Sequence, residues 1–427
     1  MIEEHGINPS FMEYFRTSRL LKFGLAFNLI YFVGIIVGFA FSVLQGVYLS
    51  KFFMIDFRVF YEAGREFLIS PEDIYLVNPN GLPFRYFPSF AMYMALFSNI
   101  PMISLYILNI TTMMLCNFGI VFLVYQVSLQ RGVTTITKNF EKTLLIVFIS
   151  PPHIINIIFG QITQLAILLV MIALLLLQSS KPQSWKEFIL IGLLIGLAST
   201  IKPFFLVFLP FLIPFTMTER FHLSILLKQL AGVVVGFLIT MIPNILYFIT
   251  FPASFDEFIQ VNLFEELTGQ HSTSLTKLIL AFIPLSEHFI LKLLIILIIG
   301  GFIFLRSYVR FVRTPSDKKN YLHHFTDMTF LILLVYPDSW FLFLAVWYAF
   351  MAPSMLELYN SRADDRNMNL LWSGSNNLLG FFAIGILVHY LLLGFDPIIP
   401  VWLVILYVLY HRVSDSAGKN ELLSFGN

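Results

Sequence analysis

Residues 23–49 read FGLAFNLIYFVGIIVGFAFSVLQGVYL, a run without one charged side chain. A helix needs about 18 or more such residues to cross the hydrocarbon core of a bilayer. The constraint is severe, because every backbone N–H and C=O in lipid must be bonded within the protein. Similar runs recur at 102–128, 143–159, 162–178, 187–201, 203–218, 228–250, 288–306, 322–337, 340–357, 376–394 and 398–412. Twelve spans of this kind predict an all-α polytopic membrane protein, a single domain over 1–427 with no soluble part and no internal repeat. Several are only about 15 to 17 residues long, at the lower limit for a span, which marks one or two as half-helices or re-entrant segments. The first run is too long for a signal-peptide core and is read as a retained helix.

Composition narrows the function classes. Hydrophobic residues make up 58% of the chain and charged residues 12%, where soluble domains run near half and a quarter. A net charge of +1 offers no basic face for nucleic acid. The single Cys116 excludes an internal disulfide and argues against a thiolate metal site.

Lys and Arg mark the cytoplasmic side of a membrane protein. With both termini inside, 19 of the 26 basic residues fall in the tails and inner loops. Only Lys51, Arg58, Arg65, Arg85, Lys202, Lys277 and Lys292 remain outside. The chain is therefore expected in the plasma membrane, multi-pass, with any chemistry on its outer face. Loop 50–101, the Gly160–Gln161 and Lys202–Pro203 turns, loop 251–287 and the Asp338–Ser339–Trp340 turn all fall there.

Asp56 opens the stretch MIDFRVFYEAGREF, 54–67. From Phe57 the apolar positions Phe57, Phe60, Tyr61, Gly64, Phe67 and Leu68 form a helical stripe opposite Arg58, Glu62, Arg65 and Glu66. That pattern predicts an amphipathic helix in the membrane interface. Asp56 before it fits an N-cap, an ion site or a catalytic base. A helix start holds a carboxylate's pKa low, so a base there needs compensating burial.

The other outer-face residues also carry two readings. Arg85 and Tyr86 suit an anionic group and a sugar or lipid, or serve as interfacial anchors. Lys202 is placed for a lipid phosphate, or snorkels. Gln161 and Thr163 suit hydroxyl binding, His153 and Asn156 follow a Pro-Pro break inside a span, and His271 offers an acid, base or hydroxyl binder. The pair His323–His324 stands apart near an inner basic loop, no Asp or Glu falls mid-span and no acidic pair stands out, so no metal site is expected. The soluble-enzyme signatures GxxxxGK[ST], GxSxG and HExxH are absent.

Taken in order, D-F-x-V-F-Y-x-A-G (56–64), F-x-Y-x-P (84–88), G-Q-x-T (160–163), K-P (202–203) and P-x-S-W (337–340) resemble glycosyltransferase family 87 over about 50–345. The family comprises polyprenol-phosphate-mannose-dependent mannosyltransferases of the GT-C superfamily. The resemblance implies a GT-C-type helical bundle and an inverting transferase. Its donor would be a polyprenyl-phosphate sugar, its acceptor a glycolipid or extracytoplasmic glycan, and no cofactor is implied. It also places the general base on Asp56 and the donor phosphate beside Lys202. Arg85, Tyr86, Gln161, His271, Asp338 and Trp340 are the further substrate-binding candidates. Many relatives carry histidine two residues after the S-W pair, where this chain has Leu342; that departure motivates the alternative of an inactive subunit in an envelope-glycan complex. A lipid or sugar transporter is the other rival, disfavoured because such proteins keep ionisable residues mid-span and repeats in their halves.

Overall fold

The structure, a computed structural model, describes residues 10–44, 53–133, 138–179, 184–217, 223–264, 272–282, 289–316, 319–337, 339–362, 366–388 and 397–424. Among these residues it is all helix and turn, apart from an isolated antiparallel bridge between Ser272 and Trp340. The helices are α1 (Phe11–Thr17), α2 (Arg19–Leu44), α3 (Ile55–Ile69), α4 (Pro88–Ala95), α5 (Met102–Gln130), α6 (Lys138–Ile149), α7 (Pro151–Phe159), α8 (Thr163–Leu177) and α9 (Trp185–Ile201). They continue with α10 (Leu223–Thr250), α11 (Pro252–Ile259), α12 (Leu275–Ala281), α13 (Phe289–Arg313), α14 (Tyr321–Val335), α15 (Leu344–Arg362), α16 (Arg366–Val388) and α17 (Ile398–Ser424).

Seven helical stretches among the described residues are long and apolar enough to cross a bilayer: α2, α5, α6 with α7, α10, α13, α15 and α17. α8 and α14 are shorter apolar helices. Lipid-facing side chains such as Ile30 on α2, Ile249 on α10 and Ile298 on α13 point outward, about 70% exposed. α14 lies at the centre, with every residue from Tyr321 to Phe330 buried. Asp327 is among them at 0% exposed, which corrects the expectation that no acid lies within a span.

The stretch expected as a span over 203–218 is not an α-helix. Pro203–Phe211 forms a 3-10 segment, as a chain interrupted by Pro203, Pro210 and Pro214 must lose α-helical donors. It nonetheless traverses the bundle, because the Met217 N–H donates to the Val312 carbonyl at the far end of α13 (2.8 Å). Irregular backbone at that depth needs shelter from lipid, and Phe205, Phe208 and Phe211 are fully buried along it.

α9 and α10 meet backbone to backbone. A Cβ on Gly192 would lie 2.2 Å from the Val233 carbonyl oxygen, and one on Gly236 1.9 Å from that of Ile189. GLLIG (192–196) and GVVVG (232–236) are thus small-residue seams of the kind that hold membrane helices together. This pair fixes the end of α9, where Lys202 follows.

Candidate active site

Six sequence candidates line one cavity of about 360 Å³: Asp56, Arg85, Tyr86, Gln161, Lys202 and Trp340. They come from five separate stretches of chain. Most of the remaining wall is apolar, including Val59, Phe60, Phe204, Phe258 and Phe343. His271 and Asp338 lie outside the described residues. Their neighbours do not: the Thr273 N–H donates to the Ser339 carbonyl (2.7 Å) and Ser272 Oγ to the Pro337 carbonyl (2.8 Å), a clasp that fixes Trp340 at the rim.

Asp56 is not the helix cap. The N-cap of α3 is Met54, held at φ 57°, and Asp56 sits in the first turn with no capping bond. A left-handed non-glycine costs about 1–3 kcal/mol and persists only where its surroundings impose it. Here the Met54 N–H donates to the Ile158 carbonyl (3.2 Å) at the end of α7. The first half of the stripe on α3, Phe57, Phe60 and Gly64, is buried against protein, where a Cβ on Gly64 would come 2.7 Å from the Met94 backbone in α4, while Leu68 at its end is 61% exposed.

The end of α7 organises three of the five stretches. Its break from α6 at Ser150–Pro151 is the one the Pro-Pro signal predicts. Asn156 Nδ2 donates to the Leu342 carbonyl (3.0 Å), and the Gln161 N–H donates to the Asn156 carbonyl (2.8 Å). Gly160 turns the chain at φ 73°, and Asn109 Nδ2 donates to its carbonyl (3.0 Å). A Cβ at Gly160 would lie 2.5 Å from Phe57 Cβ. Gly160→Ala is therefore expected to lower stability by about 1–3 kcal/mol through its backbone alone, and to displace Asp56 through Phe57. Thermal unfolding in detergent beside a ligand-binding assay checks both effects.

Electrostatically the site is a buried carboxylate and a buried ammonium on one largely apolar cavity. Lys202 Nζ donates to Tyr86 Oη (2.8 Å), which donates to Gln161 Oε1 (3.3 Å). The ammonium also lies 4.7 Å from the Tyr86 ring centre and 5.1 Å from that of Phe343. Asp56 is 9% exposed, and its Oδ2 has no hydrogen-bond partner among the described residues. Burial pushes its pKa up to about 6, against the opposing pull of Lys202 and Gln161. Burial likewise draws Lys202 down to about 7, against the pull of Asp56. The low pKa expected from a helix start is thus outweighed by desolvation. A carboxylate tuned close to neutrality and carrying a free oxygen is suited to accept a proton.

Sequence reasoning missed Asn262 and Tyr336 on the cavity wall. Tyr336 directly precedes the P-x-S-W motif and was legible from that place; Asn262 carried no signal. Of the other polar residues in the α7 region, His153 is buried with both ring nitrogens lacking a hydrogen-bond partner, outside the cavity wall.

The sequence model of glycosyltransferase family 87 matches residues 84–337, more than half of the chain. The chain belongs to glycosyltransferase family 87. Comparison with curated proteins gives no match, nor does comparison with solved structures. As a family 87 enzyme the protein is a membrane glycosyltransferase, which sets the transporter reading aside. The matched region holds Arg85, Tyr86, Gln161, Lys202 and Tyr336 but begins after Asp56 and ends before Trp340. Asp56, outside the matched region, lies on the same cavity wall as those residues.

Proposed function

We propose that this glycosyltransferase moves a hexose, by family resemblance mannose, from a polyprenyl phosphate to a lipid-linked or extracytoplasmic glycan, with inversion, at the outer face of the plasma membrane. The observation that carries the reading is the pairing of Asp56, with its free Oδ2, and the buried Lys202 on one largely apolar cavity. The acceptor hydroxyl gives its proton to Asp56 as its oxygen bonds to the anomeric carbon. The anomeric carbon's bond to the phosphate oxygen breaks in the same displacement. The leaving polyprenyl phosphate takes the electron pair, and Lys202 with Arg85 offsets its charge. A phosphate leaves as an anion, so one essential carboxylate is enough, where glycoside hydrolysis needs two.

Two further features support a lipid donor at this face. An apolar cavity of about 640 Å³ adjoins the first across α3, sharing Phe60 and bounded by Phe90, Leu105, Leu169, Leu197 and Ile239; it suits an isoprenoid chain. Basic side chains such as Arg131, Arg310 and Arg313 fall at helix ends away from the cavity, a placement that supports the cytoplasmic side for those ends.

The free-enzyme pH profile follows from the two shifts. kcat/KM is expected to rise as pH passes about 6 and Asp56 loses its proton, and to fall above about 7 as Lys202 loses its own. Rates measured from pH 5 to 9 under subsaturating donor check this. The donor class is tested by offering purified protein polyprenyl-phosphate mannose and a nucleotide-activated mannose separately, with membrane extract as acceptor source. Sugar transfer from the first alone is expected. Transfer from the nucleotide donor, or from neither while the protein is folded, overturns the reading; the latter outcome favours the inactive subunit.

A further inference from the structure

Three metal-capable side chains meet inside the bundle, away from the sugar site. His323 and Asp327 stand one turn apart on the same face of α14, and His411 reaches them from α17. All three are buried, at 4%, 0% and 3% exposed. One ligand atom from each lies within 4.8 Å of the others. We propose that His323, Asp327 and His411 bind a divalent first-row transition metal of zinc's class, which fastens the C-terminal helix α17 to α14.

The spacing of these atoms suits ligands around one ion, and it is also short enough for histidine–carboxylate ion pairs. His411 Nε2 is 3.0 Å from Asp327 Oδ1 and His323 Nε2 is 3.7 Å from Oδ2. Ligands about 2.0–2.2 Å from a tetrahedral metal stand about 3.3–3.6 Å apart, between those two values. Neither Asp327 oxygen and neither His411 ring nitrogen makes a well-aligned hydrogen bond, so beyond the close His411–Asp327 pair these buried atoms have capacity left for a ligand. A carboxylate buried this completely needs a positive charge beside it, from a metal ion or a protonated histidine, and for a metal, two imidazoles with one carboxylate suit zinc's class better than magnesium or calcium. His323 is oriented as a ligand is: its Nδ1 pairs with Tyr410 Oη (2.8 Å), which pairs with Ser354 Oγ (2.8 Å). One contact competes. Arg310 Nη1 lies 3.0 Å from His323 Nε2, and the same atom is 3.0 Å from Asp415 Oδ1. Metal binding would release the first contact and keep the second.

The test is metal content of the full chain, purified in detergent with any affinity tag removed and measured by inductively coupled plasma mass spectrometry. About one zinc-class ion per chain is expected in the wild type, falling to background in folded Asp327→Asn and His411→Gln. Stripping the wild type with a chelator should lower its melting temperature, and zinc chloride should restore it at about one equivalent. That arm needs no variant to fold. A wild type that takes up no metal after zinc addition, a melting temperature indifferent to chelator and zinc, or folded variants that retain wild-type metal would each overturn the assignment.

Discussion

Asp56→Asn is expected to reduce kcat by about 10³-fold, the usual scale for losing a positioned base, while leaving the protein at least as stable. The two halves of that result come from one cause. A carboxyl whose folded-state pKa is raised contributes stability below its unfolded value, near 3.8, and loses it as pH rises through about 6. At pH 7 the ionised Asp56 is therefore a burden on the fold. Asparagine, of the same shape but uncharged, relieves up to about 3 kcal/mol at the scale of 1.36 kcal/mol per pKa unit. The gain is reduced because Lys202 then loses the carboxylate that favours its own charge. A residue kept only for structure would show the opposite pattern, with stability falling alongside rate. Thermal unfolding at pH 5 and pH 8 separates the two, since the variant's advantage should shrink toward acid.

Lys202→Met is expected to lower kcat by about 10²–10³-fold, the cost of removing one preorganised group from a developing anion. Methionine preserves the length of the buried stem, so packing against Tyr86 and Phe343 changes little. A second signature accompanies the loss. Lys202 holds the Asp56 pKa down, so without it the acid limb of any residual activity should move above pH 6. Arginine is not expected to rescue the site. Its planar fork does not reproduce one ammonium donated to Tyr86 Oη between two aromatic rings.

Much of this was legible because a membrane protein exposes its exceptions. Polar residues are costly in an apolar chain, so Asp56, Arg85, Gln161 and Lys202 stood out singly, and the fold brings them to one cavity. What failed was local. The cap reading of Asp56 assumed that the helix begins after it, whereas Met54 is held left-handed by Ile158, a long-range bond that no capping rule for methionine contains. The 203–218 stretch is apolar enough for a span, and only the spacing of Pro203, Pro210 and Pro214 warned against an α-helix. The glycine seams of α9 and α10 were written plainly in the sequence and went unread. His323, Asp327 and His411 were invisible as a group, because their meeting depends on how α14 and α17 pack.

The central claim, a single-displacement transfer using Asp56 as the only essential carboxylate, is tested most directly by product stereochemistry. Polyprenyl-phosphate mannose of known anomeric configuration is supplied to the purified protein, and the configuration of the new linkage is read by NMR. Inversion relative to the donor is predicted. Retention would contradict the account, because it requires a second nucleophile and a covalent or equivalent intermediate that Asp56 alone does not provide.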